Sequence, residues 1–396
     1  MRSVGIVGIG HTKFGKSRVS YTDMACEAAL QALKDAGVTP LPGHGIDQVL
    51  LATMGASMIN HQSGAASAIV DTLNLRPAMA ETVENGPASG ASAIKLGYSM
   101  IASGLADTVL VIGAEMMRKV SGWEGTDFVA TMLHPEAEYP YGMTLPALAG
   151  MFTRLIMGKY GLTSKDLALL SVKNHSNAMH NPCAHIRMVP DLEAITADED
   201  IETVNPLVAD PLRLYDVCPV SDGAAAVLLC AMDVADRFEK KAIRVAGIGQ
   251  ATDTHAVAER EVPTDLLAVR MAAQRAYEMS GLLPTDIDVA ELHDAFLILE
   301  IVESEEVGFF KRGEGHLALR EGKTQIGGEI PINTSGGLKA KGHPLGATGV
   351  SQTVEIVRQL RGEAEGRQVE GARNGLVVNF GGFGNNVVAL ILSKDA

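Results

Sequence analysis

Residues Pro331 to Gly349 read PINTSGGLKAKGHPLGATG, and the chain continues VSQTVEIVRQL from Val350 to Leu360. The opening residues predict a short apolar strand, the glycines a turn, and the spacing of apolar residues after Val350 a helix. A strand that empties through glycines into a helix start presents unpaired backbone N–H groups and the positive end of a dipole. His343 sits inside that turn, and Pro344 fixes the backbone directly after it. A single Gly-rich turn around one histidine is commonplace in proteins. Its weight comes from what the rest of the chain sets beside it.

Upstream, strand-like and helix-like segments alternate. Val4 to Ile9 is β-rich and ends at Gly10 and His11. Tyr21 to Gly37 carries alanines and leucines at helical spacing and stops at a glycine. Ile46 to Ala52 predicts a strand, Gln62 to Leu73 a helix and Ala80 to Glu84 a short strand. Asn85-Gly86-Pro87-Ala88-Ser89-Gly90 then leads into a long apolar helix ending near Gly104, and Thr108 to Gly113 (TVLVIG) predicts a buried strand. This alternation predicts a parallel α/β sheet. From Arg118 to Pro211 the strand signals fade. Methionines and the run LHPEAEYPYGMT point to a mostly helical insertion of the kind that covers a ligand site, with Arg118, Lys119, Lys173 and Arg187 as surface cations. SDGAAAVLLC (Ser221 to Cys230) returns as a buried strand.

After Lys241 the first half repeats. IRVAGIGQATD echoes SVGIVGIGHTKF, and AQRAYEMSG (Ala273 to Gly281) echoes ALQALKDAG (Ala29 to Gly37). The turn at Gly342 to Gly349 takes the place of Asn85 to Gly90, and GLVVNFGGFGNNVVALIL makes two strands around a glycine turn. A repeat of roughly 200 residues predicts two duplicated α/β units. The expected organisation is a first half at 1–117, an inserted region at 118–211, a return strand and helix at 212–241, and a second half at 242–396. Ligands of such sheets bind beyond the strand C-termini. That rule gathers the turns at 85–90, 293–296, 342–346 and 379–384 into one place.

Composition sets the bounds. The chain has 396 residues, 46% of them hydrophobic and 20% charged, which is ordinary for a globular protein. Its 42 glycines exceed the usual ~7% and suit many tight turns. A net charge of −14 argues against a nucleic-acid surface, while local helix N-termini can still bind an anion. Cys26, Cys183, Cys218 and Cys230 show no C-x-x-C spacing, which predicts reduced thiols and no metal site. No apolar run approaches the ~18 residues of a membrane span, so the expected location is the cytoplasm.

His293 closes the predicted strand VAELHDAF, facing the same mouth as His343. Two histidines at one cavity supply a proton shuttle and a donor to a carbonyl oxygen. Asn379-Phe380-Gly381-Gly382 adds backbone N–H groups able to stabilise an oxyanion. The constellation is one of carbonyl chemistry without an evident nucleophile.

HDAF, GGLKAKGHPLGATG and NFGGFGNNVV, set in duplicated halves, resemble the thiolase superfamily over essentially the whole chain. The match is nearest to its sterol-carrier-protein-2-like and archaeal branch, and SDGAAAV and the stretch around Asn181, Pro182, Ala184 and His185 fit the loop region of that branch. The resemblance implies a layered αβαβα fold and acyl-CoA C–C bond chemistry, an acyltransferase of the Claisen and retro-Claisen type on a 3-oxoacyl-CoA. It implies that His343 activates the nucleophile, that His293 holds the thioester oxygen, and that Gly382 donates a second oxyanion N–H, with Asn379 where the family carries its second cysteine. CoA or acyl-CoA is then the substrate, with no covalently bound cofactor and no metal.

The resemblance also implies a homodimer that buries the Asn85–Gly104 region and an edge strand TVLVIGA, and a small OB-fold zinc-ribbon protein as partner. The family's cysteine nucleophile falls on Pro87, which has neither a nucleophile nor an N–H. Ser89 is expected to act as a helix N-cap, and Cys183 and Cys218 fall in the loop region. Two further functions stay open: retro-aldol or decarboxylating cleavage of a CoA thioester without an acyl-enzyme, and a noncatalytic subunit that completes a partner's site. Both histidines survive, which favours an enzyme over a scaffold.

Overall fold

The computed structural model describes every residue except Met1, His44, Asp198, Asp395 and Ala396. The first half runs β1 (Val4–His11), α1 (Tyr21–Asp35), β2 (Gln48–Ala52), α2 (Ala65–Thr72), β3 (Met79–Val83), α3 (Ser89–Ser103) and β4 (Thr108–Met116). The region that follows is mostly helical: α4 (Gly122–Ala130), α5 (Leu145–Tyr160), α6 (Ser164–Met179), and the short α7 (Leu192–Thr196) and α8 (Ile201–Val204). A small hairpin, β5 (Leu207–Ala209) and β6 (Leu212–Arg213), ends it. β7 (Asp222–Ala231) leads back into β8 (Ile243–Thr252), α9 (Leu267–Ser280), β9 (Val289–Glu291), α10 (Leu297–Glu306), α11 (Gly315–Arg320), α12 (Leu345–Arg361), β10 (Asn374–Gly381) and β11 (Asn386–Ser393).

The large strands hydrogen-bond in the order β3-β2-β4-β7-β1-β8-β11-β10-β9. Within the sheet, among the described residues, the halves join where Gly5 and Ile6 of β1 pair with Arg244 and Ile243 of β8. Outward from that seam the two sides mirror each other. β9 gains one further rung, a parallel bridge from Ala290 to Ile332, where β2 gains the whole of β3. α1 covers the first half, α9 covers the second, and α3 and α12 lie between them, touching strands of both. This is a five-layer α/β sandwich.

Several expectations are corrected. The sheet is mixed rather than parallel, because β7 enters antiparallel to both β4 and β1 after the insertion reverses the chain. Residues Pro331 to Asn333 form that single rung and no strand, since the chain turns away at once. α12 starts at Leu345 rather than Val350, because Pro344, extended and lacking an N–H, stands at its N-cap position and starts the helix.

α12 is buried along nearly its whole length. It runs in close contact with α3. A side chain built on Gly90 would lie 2.8 Å from the nitrogen of Val350, and one on Gly349 would lie 2.5 Å from the nitrogen of Ala91 and overlap Asn379. Only glycine permits two backbones to meet this way. TVLVIGA is not an edge either: β4 lies between β2 and β7, and its apolar character reflects burial on both faces. The edge is β3. Among the described residues no helix is long and apolar enough to cross a membrane.

Candidate active site

His343 enters the site at the head of α12. Its backbone N–H donates to Ser221 Oγ at 3.3 Å, and its ring Nδ1 lies 2.7 Å from Thr348 Oγ1. Thr348, one turn along the helix, donates its single hydroxyl proton to the Pro344 carbonyl at 3.0 Å. The hydroxyl oxygen therefore accepts from His343 Nδ1–H, and Nε2 carries the lone pair. Burial, with help from the Lys341 charge, pulls the pKa of His343 down to about 3, so the ring is neutral at neutral pH.

His293 lies two residues past β9, its backbone N–H held by the buried Glu303 carboxyl at 2.9 Å. The ring stacks on Phe380, centroids 5.3 Å apart at 5°, and meets His343 edge to face at 4.9 Å and 85°. Burial, then the neighbouring His343 and Lys341, lower its pKa well below the ordinary value. Asn379 Nδ2 stands 3.3 Å from its Nδ1.

Asp294 explains how the two histidine segments keep their spacing. Its carboxylate accepts from the N–H groups of Leu338 (2.6 Å) and Lys339 (3.2 Å), at the start of a π-helical turn over Gly337–Lys341 that ends just before His343. Burial, reinforced by Glu300, pushes Asp294 up to about 7. Lys341 pairs with Glu291 at 3.2 Å, both fully buried.

Pro87, Cys218, His293, His343 and Gly382 line one cavity of about 470 Å³. The insertion supplies its apolar wall, including Val129 and Leu145, and α10 adds Leu299. The turn at residues 85–89 is closed by Ser89, whose Oγ accepts from Asn85 N–H (2.8 Å) and donates to the Gly86 carbonyl (2.6 Å). Ser89 is thus the first helical residue and not the expected N-cap, a position held by Ala88. Gly382, at φ +59°, packs its nitrogen 3.7 Å from a Cβ built on Gly86, which puts its backbone against that turn. Burial pushes the Cys218 thiol up to about 12, too high for a standing thiolate. Cys183 Sγ rests 3.7 Å from the His11 carbonyl and does not line the cavity.

The two halves of the chain match the family models for the thiolase N-terminal domain (residues 4–233) and the thiolase C-terminal domain-like region (residues 249–394). The chain belongs to the thiolase family. An acetyl-CoA acetyltransferase of Methanothermobacter thermautotrophicus is 42% identical over 395 residues, covering all of both chains. The benzoylsuccinyl-CoA thiolase subunit BbsB of Thauera aromatica is 33% identical, over 93% of this chain and 92% of that one. Among solved structures, the Ltp2-ChsH2(DUF35) aldolase superposes with a TM-score of 0.83 at 27% identity, over 99% of this chain and 98% of that one.

Within this thiolase fold the turns at 85–90, 293–296, 342–346 and 379–384 do meet. Lys173, expected at the surface, is instead buried against Glu300 and donates to the Ile332 carbonyl at 3.0 Å. Arg118 is exposed but borders the cavity, whereas Arg187 donates to the Met179 carbonyl. Sequence reasoning missed Thr348 and Phe380. Thr348 had a local signal, since it lies five residues beyond His343 and just before the predicted helix. Phe380 had none, because its partner His293 is 87 positions away, just past another strand.

The titration of His343 has a sign that can be measured. Folded, the ring takes a proton near pH 3; unfolded, near ~6.5. Between these values the unfolded chain binds more protons, so stability falls as pH drops from 6.5 toward 3, by up to ~1.4 kcal/mol per pH unit. Denaturant unfolding at pH 7 and pH 5 should show a smaller loss for His343→Gln than for the native chain. Equal losses would show that His343 is not buried and neutral.

Proposed function

We propose that this chain makes or breaks a carbon–carbon bond at the α-carbon of a CoA thioester without parking an acyl group on the protein. The observation that carries this is Pro87 in the wall of the cavity that holds both histidines. A proline there offers neither an acyl acceptor nor a backbone donor. The thioester lies between α4 and the C-terminal glycine turns, with the exposed Arg118 at the rim for a phosphate.

In the bond-forming direction His343 Nε2 removes a proton from the α-carbon, and the electron pair moves into the thioester carbonyl. The oxygen is stabilised by an N–H of neutral His293. The enolate carbon attacks the carbonyl of a second substrate, whose π-bond breaks. The resulting alkoxide, held by the Gly382 N–H, takes the proton back from His343. The product is a 3-hydroxyacyl thioester, and the reverse path is a retro-aldol cleavage. The likeness to the Ltp2-ChsH2(DUF35) aldolase supports this reading. A Claisen-type acyl transfer is the second reading, favoured by the 42% identical acetyl-CoA acetyltransferase. It requires a nucleophile other than residue 87.

The proposal includes assembly. Among the described residues β3 has an unpaired side, and Met79 at its start is exposed, so a second copy pairing there would complete the sheet edge. A small OB-fold zinc-ribbon partner is supported by the aldolase just named, whose name couples two components.

Incubation with acyl-CoA should leave the intact protein mass unchanged. His343→Ala and His293→Ala should each lower turnover about 10²–10⁴-fold. An acyl mass mapped to Cys218, Cys183 or Ser89 would restore the transferase reading instead. Light scattering at micromolar concentration should return a dimer, and a stable monomer would reject the β3 interface.

A further inference from the structure

We infer that Asn379 sets the tautomer of His293 and so makes its Nε2–H the donor that faces the cavity. The inference rests on the donor role proposed above for His293. A neutral imidazole carries one proton, and the partner of one ring nitrogen decides what the other presents. Among the described residues, Asn379 is the one group hydrogen-bonded to the His293 ring.

The orientation of the Asn379 carboxamide is itself fixed by α3. Ala91 is the third residue of that helix, where a backbone N–H has no intrahelical acceptor. Its N–H meets Asn379 Oδ1 at 3.3 Å, and only an oxygen can accept there. The opposite end of the carboxamide must then be the NH₂, 3.3 Å from His293 Nδ1. An amide NH₂ only donates, so Nδ1 carries the lone pair and the proton sits on Nε2. The carboxamide cannot turn over freely. Asn379 is fully buried, and α12 passes so close that a side chain on Gly349 would overlap Oδ1.

Thr348 imposes the opposite tautomer on His343 through a hydroxyl committed to Pro344. Two rings 4.9 Å apart are thereby locked as one acceptor and one donor. Matching tautomers would give two bases or two donors, and neither pair both deprotonates a carbon and holds the oxygen beside it. Asn379 is a positioning residue: it acts on the reaction through His293.

The test is long-range ¹H–¹⁵N correlation on histidine-labelled protein, with the His293 signals assigned by their loss in His293→Gln. The native chain should show His293 protonated at Nε2. In Asn379→Asp the side chain facing Nδ1 can only accept, so the proton should move to Nδ1. Turnover should then fall ~10²–10³-fold at neutral pH, as for loss of an oxyanion donor, and recover toward acid pH, where the ring gains a second proton. Asn379→Leu leaves both tautomers open and should lose less. A purely structural role would lower both variants alike, with the tautomer unchanged. Nδ1–H in the native chain, or Nε2–H retained in Asn379→Asp, would overturn the inference. A tautomer that moves while turnover does not would uphold the inference and reject the donor role for His293. Should a variant not fold, the native spectrum alone decides.

Discussion

Where α3 crosses α12, Gly90 and Gly349 bring the two backbones into contact, and the start of each helix delivers one piece of the site. The turn with Pro87 feeds α3, and the turn with His343 feeds α12. A methyl group at either glycine would have to push apart two helices that are packed on both sides by sheet, in an interior as dense as an organic crystal. The closeness also lets one carboxamide, that of Asn379, reach from β10 to the head of α3 and to the His293 ring at once. Positions of the two histidines are thus set by backbone contact together with the buried side chains of Asp294 and Asn379.

Around that crossing the protein keeps charge buried and paired. Lys341 with Glu291, Lys173 with Glu300, and Arg367 with Glu355 at 2.9 Å are all sealed from solvent. Desolvating such pairs costs enough that they add little net stability, but removing one partner strands the other. Their consequence is geometric. Glu300 also accepts from Asn174 and Asn333, and Asn174 reaches Asp294, whose carboxylate holds the π-helical turn before His343. The same dry surroundings keep both histidines neutral, the state in which one ring can accept a proton and the other can offer one.

Much of this was legible in the sequence because glycine and histidine spacing is local. GHPLGATG and HDAF marked the two histidine turns, and the echo between SVGIVGIGHTKF and IRVAGIGQATD reflects the mirrored strand order around the β1–β8 seam. What escaped was long-range. Whether TVLVIGA lies at an edge or in the interior depends on where β7 inserts, and β7 comes after the whole insertion. Lys173 looked like a solvated cation, since nothing near it in sequence announces Glu300, 127 positions on. Ser89 sits at the start of a helix as a cap would, yet its hydroxyl closes the preceding turn, a choice made by the backbone of Asn85 and Gly86.

In the proposed reaction, neutral His343 and His293 form an enolate from a CoA thioester with no acyl-enzyme. Deuterium exchange at the α-carbon of an acyl-CoA in D₂O, followed by NMR without any second substrate, tests it most directly. Exchange well above the buffer rate is expected in the native chain, with its loss in the His343→Ala variant. Exchange at the buffer rate in the native chain, or undiminished exchange in the variant, would contradict it.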